Sequence, residues 1–381
     1  MDQIKIGLQG RGRKNAPQEE PIFQCVGMLA SAVGPNLTKY LHDQLDLMFA
    51  AGLSEPLRQA LTAIARHIPP LLKTIQDRLL DLLCNLLSGQ PYKPLGAPPS
   101  LPRVEAVPLS RDLNMSQVSA TEKSELITLA LNTLGSFDFT GHTLNEVVRQ
   151  CALPYLEDDH AEVRRAAALT CCRLFVRDPI TYQASSHAIE VISDVLDKLL
   201  TVGIADPEPS IRQTVLSSLH ERFDKHLAQA ENVRSLFIAL NDEVFENRIT
   251  AVTLIGRLAK HNPAYVMPSL RKALIQLLTE LEYSTVRRSR EECTRLLTLL
   301  VSATQRIIKP YAIPMLRALL KKANDSNPIV AANVLMCLGE LTCAGGETAV
   351  PHIPELMQII MAKLADTSFI QRDAALHTLG Q

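Results

Sequence analysis

Residues 241–281 hold the feature that most constrains the fold, two amphipathic helical patterns separated by a proline turn. Apolar residues recur in each half with the three-to-four-residue spacing of one helix face: Ala251, Leu254, Ile255 and Leu258, then Leu270, Leu274, Leu277 and Leu281. Pro263 separates the halves, because proline cannot continue a helix and restricts the residue before it. The stretch therefore predicts an antiparallel helical hairpin with one apolar side.

The same unit recurs along the chain, as it must if hairpins bury their apolar sides against each other. Each copy starts with an acidic residue, followed six positions later by Arg and an apolar helix. The pairs are Asp158 with Arg164, Asp206 with Arg212, Asp242 with Arg248, Glu282 with Arg288, Asp325 with Ala331 in place of Arg, and Asp366 with Arg372. Successive Arg positions lie 36 to 48 residues apart, a spacing near ~40 that is typical of HEAT/armadillo repeats.

These charged positions predict a structural ladder. If the hairpins stack, each Arg lies near an acidic residue of a neighbouring repeat and can donate hydrogen bonds to it. We expect the ladder to comprise Asp158, Arg164, Asp206, Arg212, Asp242, Arg248, Arg288, Asp366 and Arg372. Gly256, Gly339 and Gly380 recur eight residues after the Arg position, and we interpret them as close helix crossings, since Gly inside a helix otherwise costs ~1 kcal/mol against Ala.

The pattern divides the chain into four parts. Residues 1–18 lack a helical period and predict a flexible tail, with an RNA-touching or localisation tail as the alternative; residues 19–89 predict two hairpins. Residues 90–121 carry six of the 23 prolines and predict a disordered or extended insert, in which phosphorylation of its serines is the alternative to a plain spacer. Residues 122–381 predict about six hairpins, the last one truncated, so the fold class is an all-α solenoid.

Composition excludes several classes of function. The 39 Lys and Arg balance 40 Asp and Glu, so no net field favours nucleic acid or an anionic membrane. The chain has no Trp and 4% aromatic residues, which leaves little for base stacking. We find no apolar run of the ~18 residues that a membrane span needs, and expect no membrane insertion. The eight cysteines form no CxxC pair and predict small buried hydrophobes in a reducing, cytosolic or nuclear, setting.

No catalytic, cofactor-binding or metal-binding constellation is predicted. The chain lacks a GxSxG elbow and a phosphate-binding GxxxxGK loop. His220 and His226 flank Glu221, but a metalloprotease helix needs its histidines four positions apart instead of six. The densest charge, at 286–295, predicts Arg side chains that pair with neighbouring Glu or with the next repeat; an acidic partner peptide is the alternative.

Several long strings go beyond generic repeat character, among them EEPIFQCVGMLASAVGP, HIPPLLKTIQDRLLDLL and NPAYVMPSLRKALIQLLTELEYS. They closely resemble the amino-terminal HEAT-repeat region of the target of rapamycin kinases, which belong to the phosphatidylinositol-3-kinase-related class. The resemblance extends from about Glu19 to Gln381 and is weakest in the Pro-rich insert. It does not extend to residues 1–18.

The resemblance implies a scaffold without a catalytic domain. Full-length members are ATP- and Mg-dependent serine/threonine-protein kinases, and their HEAT repeats dock Raptor- or Rictor-type companion subunits and help the dimer to assemble. A cytoplasmic location is implied, with lysosomal or endomembrane surfaces, or the nucleus, reached through the complex. The alternative is another HEAT adaptor, such as a nuclear-import receptor or a phosphatase scaffold.

Overall fold

The computed structural model describes residues 19–92, 120–142, 144–177 and 186–381. Within these ranges the regular structure is entirely helical, which confirms the predicted all-α class. The predicted tail and almost all of the predicted Pro-rich insert lie outside the described residues. The chain divides into two compact units, Met1–Lys198 and Leu199–Gln381.

In the first unit, the most extensive helix contacts skip the shorter elements between two long helices. The helices are α1 Glu19–Val33, α2 Thr38–His42, α3 Leu45–Phe49, α4 Glu55–His67, α5 Leu72–Ser88, α6 Ala120–Ser136, α7 Asn145–Val147, α8 Ala161–Arg177 and α9 Ser186–Ala205. Helix α1 packs on α4, and α6 packs on α8. Helix α9 runs past the boundary of the unit at Lys198.

The second unit has the most regular repeats. Its helices are α10 Pro209–Ser218, α11 Asp224–Leu227, α12 Ala230–Ile238, α13 Phe245–His261, α14 Pro263–Tyr283, α15 Arg287–Ala303, α16 Lys309–Leu320, α17 Pro328–Gly345, α18 Ile353–Leu364 and α19 Phe369–Gly380. In these repeats α10, α13, α15, α17 and α19 are first helices, and α12, α14, α16 and α18 are second helices. Each first helix packs against the next one along the chain.

The hairpin of α13 and α14 shows how the sequence produces this arrangement. Helix α13 ends at His261, and Pro263 occupies the first turn of α14, where its missing N–H costs no hydrogen bond. The predicted apolar stripes are buried in both helices, and Leu270 of α14 is completely inaccessible. Full burial of such a side chain contributes about 1.5–3 kcal/mol, so the stripes provide the main stabilisation of the hairpin.

The hairpins predicted for residues 122–381 require a regular second helix at 139–156, but this segment is not one continuous helix. Instead of one helix it forms α7, a π-helical turn at Val148–Ala152 and a 3₁₀ turn at Leu153–Glu157. Pro154 lies at the junction, and a proline ring clashes with the carbonyl four residues before it. The wide π turn accommodates this clash, so the regular helix predicted from the apolar pattern alone was wrong.

Candidate protein-interaction surface

Five of the six predicted acidic residues, all except Glu282, share one local role at the start of a repeat. In each of these five, one side-chain oxygen accepts a hydrogen bond from the backbone N–H two residues ahead, at 2.8–2.9 Å. This turn occurs at Asp158, Asp206, Asp242, Asp325 and Asp366. Asp side chains favour this Asx turn because they offer the backbone an alternative partner just before a helix.

Arg212 connects two repeats of the second unit. Its guanidinium donates to both carboxylate oxygens of Asp242 at 2.7 and 3.0 Å, to Glu243 at 3.0 Å, and to the backbone carbonyl of Asp206 at 2.7 Å. The side chains of Arg212 and Asp242 are only 7% and 3% exposed. This is the predicted contact between repeats in its most complete form.

Protonation of this pair follows from its contacts. The hydrogen bonds to Asp242 raise the pKa of Arg212, so the guanidinium stays charged. Burial by itself raises the pKa of Asp242, but hydrogen bonds from Arg212, the Val244 N–H and Asn247 outweigh burial and leave that pKa below its ordinary value. Both groups are therefore ionised at neutral pH, and neither is poised for proton transfer.

The other predicted Arg residues divide into two kinds. Arg164 and Arg372 donate to the backbone carbonyls of Asp158 and Asp366 at 2.9 and 2.8 Å, within their own repeats. Arg248 reaches the next repeat, where it donates to Glu292 at 2.5 Å. The sequence spacing thus identifies the Arg position of each repeat, while the group that accepts its hydrogen bond differs between repeats.

Arg288 is not part of the contact between repeats, contrary to the prediction. It is 83% exposed and pairs with Glu292 of its own helix at 2.7 Å. Arg290, two positions later, forms the ion pair with Asp325 of the following repeat. Arg287, Arg288 and Arg290 lie within four positions of one another. Only Arg290 lies on the side of α15 that faces the following repeat.

One further inter-repeat pair was missed from sequence. Arg257 of α13 donates to both carboxylate oxygens of Asp224 at 2.6 and 3.1 Å, and to the Leu219 carbonyl at 3.0 Å. Asp224 is 2% exposed. It begins the short helix α11, and the repeat-start pattern contains no position for it.

The glycine crossings are confirmed at two of three positions. A Cβ on Gly256 would lie 2.8 Å from the Ala303 Cβ, and one on Gly339 would lie 3.1 Å from the Thr378 side chain. A Cβ on Gly380 would meet nothing within 4 Å, so that interpretation was wrong. Gly135, which the pattern missed, crosses Thr170 in the same manner.

A hydroxyl completes two of these crossings. Thr170 donates to the Leu131 carbonyl at 2.8 Å, and Thr378 donates to the Leu335 carbonyl at 3.1 Å; both carbonyls lie four residues before the crossing glycine. The absent Cβ lets the next helix approach until this hydrogen bond forms. The contacts between first helices therefore hold neighbouring repeats together.

The second helices of the last full repeats present a different surface, which we name the second-helix face. It comprises the exposed side chains Tyr265, Arg271, Lys272 and Ile275 of α14, Arg317 of α16 with Lys321 directly after it, and Ile353, Met357 and Met361 of α18. An ion pair of 2.9 Å between Lys322 and Glu282 and a contact of 3.4 Å between Arg317 and His352 link its neighbouring repeats.

Part of the charge on the second-helix face lacks an internal counter-charge. Between residues 263 and 325 there are eleven Lys or Arg and five Asp or Glu, and four of these cations lie on first helix α15. Arg271, Lys272 and Lys321 have no hydrogen-bonding or ionic partner among the described residues. Ile275 and Met361, 55% and 59% exposed, lie on the same face. Exposed apolar side chains with a polar rim are typical of protein-docking surfaces, where Arg and Met are enriched.

The dense charge at 286–295 behaves as its structural interpretation predicted. Arg287 pairs with Glu291 at 2.8 Å and Arg288 with Glu292 at 2.7 Å, each four residues apart on α15. Two arginines are thus paired within the stretch, Arg290 pairs with Asp325 of the following repeat, and Arg295 lies over the Phe245 ring. The unpaired cations lie instead on α14 and at the end of α16.

Among the described residues, no cluster of three His, Cys, Asp or Glu could hold a metal ion. His220 is exposed and accepts from the Arg222 N–H, outside the short helix that contains His226. A cavity of about 360 Å³ between α13 and α15 is lined by apolar groups beside Gly256 and by Thr253, Lys260, Ser302 and Arg257, which is bound to Asp224.

One prediction about apolar runs was wrong. The stretch Pro328–Leu364 is long and apolar enough to cross a membrane by length and composition, with a mean hydropathy of 1.5 over 18 residues. Of that window 56% is buried inside the protein. The stretch contains first helix α17, which packs against α15 and α19. The core helix of a repeat array passes the same test.

The fold has relatives among solved structures, whereas no protein-family model matches the chain. A crystal structure of Kap121p aligns with 95% of this chain and 35% of its own, at 15% identity and a TM-score of 0.50. Kap121p bound to Pho4p aligns with 99% and 36%, at 14% identity and a TM-score of 0.51. This likeness concerns the fold alone, and together with the packing it defines the chain as a HEAT-repeat α-solenoid.

Sequence comparison gives a narrower assignment. The chain is 44% identical over 378 residues to the serine/threonine-protein kinase tor1 of Schizosaccharomyces pombe and 38% identical over 389 residues to TOR2 of Saccharomyces cerevisiae. TOR of Arabidopsis thaliana is 38% identical over 386 residues. These matches cover 97–100% of this chain but only 15–16% of each relative. The chain is thus homologous to one segment of the target of rapamycin kinases, which confirms the predicted family.

Proposed function

We propose that this chain is a protein-docking scaffold segment of a target of rapamycin kinase, and that its second-helix face binds companion subunits of the Raptor or Rictor type. The observation that carries the proposal is the set of exposed, unpaired cations on α14 and directly after α16, together with exposed apolar side chains on α14 and α18. The first helices are engaged with each other through Gly256 and Gly339, whereas the second helices leave side chains free.

The chemistry of this face specifies its partner. Arg271, Lys272 and Lys321 attract an acidic surface and speed its approach, since complementary charge raises association rates. Ile275 and Met361 then provide apolar anchors that lose water on docking. An acidic partner segment with interspersed apolar residues fits both features.

The kinase reaction belongs, in this proposal, to other parts of the full-length protein. ATP and Mg would bind there, since this chain corresponds to only 15–16% of the length of each kinase relative. The segment contributes binding energy and position. We further propose a cytoplasmic location, with endomembrane or lysosomal surfaces, or the nucleus, reached through the complex, and neither nucleic acid nor lipid as its partner.

Another HEAT adaptor role remains the competing proposal. A nuclear-import receptor would bind a GTPase, and a phosphatase scaffold would bind a catalytic phosphatase subunit. The likeness to Kap121p stands at 14–15% identity and supports a common fold without a common partner. The relatives at 38–44% identity favour the kinase scaffold.

Reversal of charge on the second-helix face tests the proposal in the full-length kinase. The variant combines Arg271→Glu, Lys272→Glu, Arg317→Glu and Lys321→Glu. Glu resembles Arg and Lys in helix propensity, so the repeats should remain folded. We expect co-precipitation of the companion subunit to fall at least about tenfold, which corresponds to about 1.4 kcal/mol, while kinase activity on a short peptide is retained.

A matched control separates the face from net charge. It reverses four exposed cations of the first unit, Lys39, Arg66, Lys73 and Lys123, to Glu. We expect this control to retain the companion subunit. Equal retention by both variants, or equal loss in both, would refute the second-helix face as the docking surface.

A further inference from the structure

The cavity between first helices α13 and α15 is separate from the second-helix face, and we name it the first-helix notch. Its volume of about 360 Å³ falls within the range of roughly 300–1,000 Å³ that ligand clefts occupy. It forms where the two helices cross, because Gly256 contributes no side chain there and Ala303 contributes only a methyl group. Both residues line the notch.

The two helices that border the notch run in the same direction. Near their starts, Arg248 of α13 donates to Glu292 of α15 at 2.5 Å. Near their ends, Gly256 of α13 lies against Ala303 of α15. Residues one turn before the crossing on each helix therefore lie at one end of the notch, and residues one turn after it lie at the other end.

The two ends of the notch differ in chemistry. Val252 and Leu299, each one turn before the crossing, line the first end and make it apolar. Lys260, one turn after the crossing, lines the second end. It is exposed and has no hydrogen-bonding or ionic partner among the described residues. Arg257 also lines the notch, but its charge is paired with Asp224, so Lys260 provides the free cation.

From this geometry we propose that the first-helix notch binds an extended segment of a partner protein in which an apolar side chain stands three residues from an acidic one. The apolar side chain enters between Val252 and Leu299, and the carboxylate pairs with Lys260. Charge complementarity selects an acidic group over a basic one at the second end. The proposal depends neither on the second-helix face nor on the companion subunit.

The three-residue spacing follows from helix geometry. Val252 and Lys260 are eight residues apart, which is about 12 Å along a helix that rises 1.5 Å per residue. Helix side chains tilt toward the N-terminus, so the long Lys260 side chain shortens this separation. A segment in the polyproline II conformation has three residues per turn and places residues three apart on one face, about 9 Å from each other. Such a segment therefore reaches both ends of the notch.

Photo-cross-linking with a defined peptide tests the location. The probe is acetyl-Glu-Pro-Pro-Leu-Pro-Pro-Glu-amide, in which the leucine carries a diazirine and the prolines favour the required conformation. Its two acidic residues allow binding in either chain direction. After irradiation and digestion, we expect mass spectrometry to find the probe attached to residues 249–257 or 299–303.

Saturation-transfer NMR with the unmodified peptide tests the chemistry. We expect a Kd on the order of 1 mM, since one apolar anchor and exposed ion pairing supply little binding energy. The same peptide with Lys in place of both Glu should bind at least about fivefold more weakly, because the attraction to Lys260 is then replaced by repulsion.

Three single substitutions separate the notch from unspecific binding. Ser302→Trp places a large side chain at an exposed position that lines the notch, and it should abolish the cross-link. Lys260→Glu should weaken binding of the acidic peptide at least about fivefold. Lys73→Glu changes an exposed cation of the first unit by the same charge and should bind like the parent. Circular dichroism verifies that each variant is folded.

Several outcomes would overturn the notch as a docking site. One is the absence of saturation transfer, and another is cross-linking outside α13 and α15. Equal cross-linking of the parent and the folded Ser302→Trp variant would do the same. Equal affinities for the acidic and basic peptides, or equal losses in Lys260→Glu and Lys73→Glu, would refute the role of Lys260. None of these measurements involves the companion subunit, so failure here leaves the second-helix face untouched.

Discussion

Replacement of Arg212 by alanine is expected to lower the free energy of unfolding by about 3–5 kcal/mol. The substitution leaves Asp242, whose side chain is 3% exposed, charged and without its bidentate partner. It also removes the hydrogen bond from Arg212 to the Asp206 carbonyl, which connects the helix to the start of its own repeat. Urea unfolding of the purified chain, followed by circular dichroism, measures the loss.

Two further variants separate the causes of that loss. Arg288→Ala removes an Arg that is 83% exposed, and we expect a change of about 0–1 kcal/mol. The double variant Arg212→Met with Asp242→Leu removes both charges, and it should recover most of the stability, since apolar residues often replace buried ion pairs without loss. Equal effects of Arg212→Ala and Arg288→Ala would contradict the role of Arg212.

The same pair should leave a signature in the pH dependence of stability. The pKa of Asp242 is lower in the folded protein than the ordinary value of about 3.9. A lowered pKa contributes stability above the unfolded value, and this contribution disappears as the pH falls through the folded value. The stability advantage of the parent over Asp242→Asn should therefore be constant near neutral pH and shrink below about pH 4.

The second large effect is expected at the crossing of α13 and α15. Gly256→Ala places a methyl group 2.8 Å from the Ala303 Cβ and 3.1 Å from the Ala303 carbonyl oxygen. Both neighbours belong to a short side chain or the backbone, so the helices must move apart. We expect a loss of about 1–3 kcal/mol from overpacking, although Ala favours a helix by about 1 kcal/mol over Gly. Thermal melting measures it.

Gly380→Ala is the matched control for the crossing. A Cβ at this position meets nothing within 4 Å, and Gly380 ends helix α19. We therefore expect no loss of stability, and a small gain from helix propensity. If Gly256→Ala proved as stable as the parent, the close approach of the first helices would not be needed for stacking.

The fold was predictable because its signals repeat. A proline turn and two apolar stripes identify one hairpin, and their recurrence every ~40 residues predicts the array. The exception at 139–156 also had a signal in Pro154, which an apolar pattern alone ignores. Helix boundaries of this kind depend on single residues and are lost when periodicity is averaged over a window.

The contacts between repeats were only partly predictable. The six-residue spacing located Arg212, but it selected Arg288 where the helix phase selects Arg290. The recurrence of glycine eight residues after the Arg position wrongly marked Gly380 as a crossing, because a recurrence in sequence does not show whether a neighbouring helix crosses at that point. The second-helix face depends on which apolar residues remain exposed, and Ile275 resembles a core residue until its neighbours are placed.

Hydrogen exchange of the full-length kinase with and without its companion subunit tests the central claim most directly, that the second helices form the docking surface. The account predicts slower exchange of backbone amides in α14 and α16 on binding, with α13 and α15 unchanged because they are already packed together. Unchanged exchange in α14 and α16, with protection elsewhere in the kinase, would contradict it.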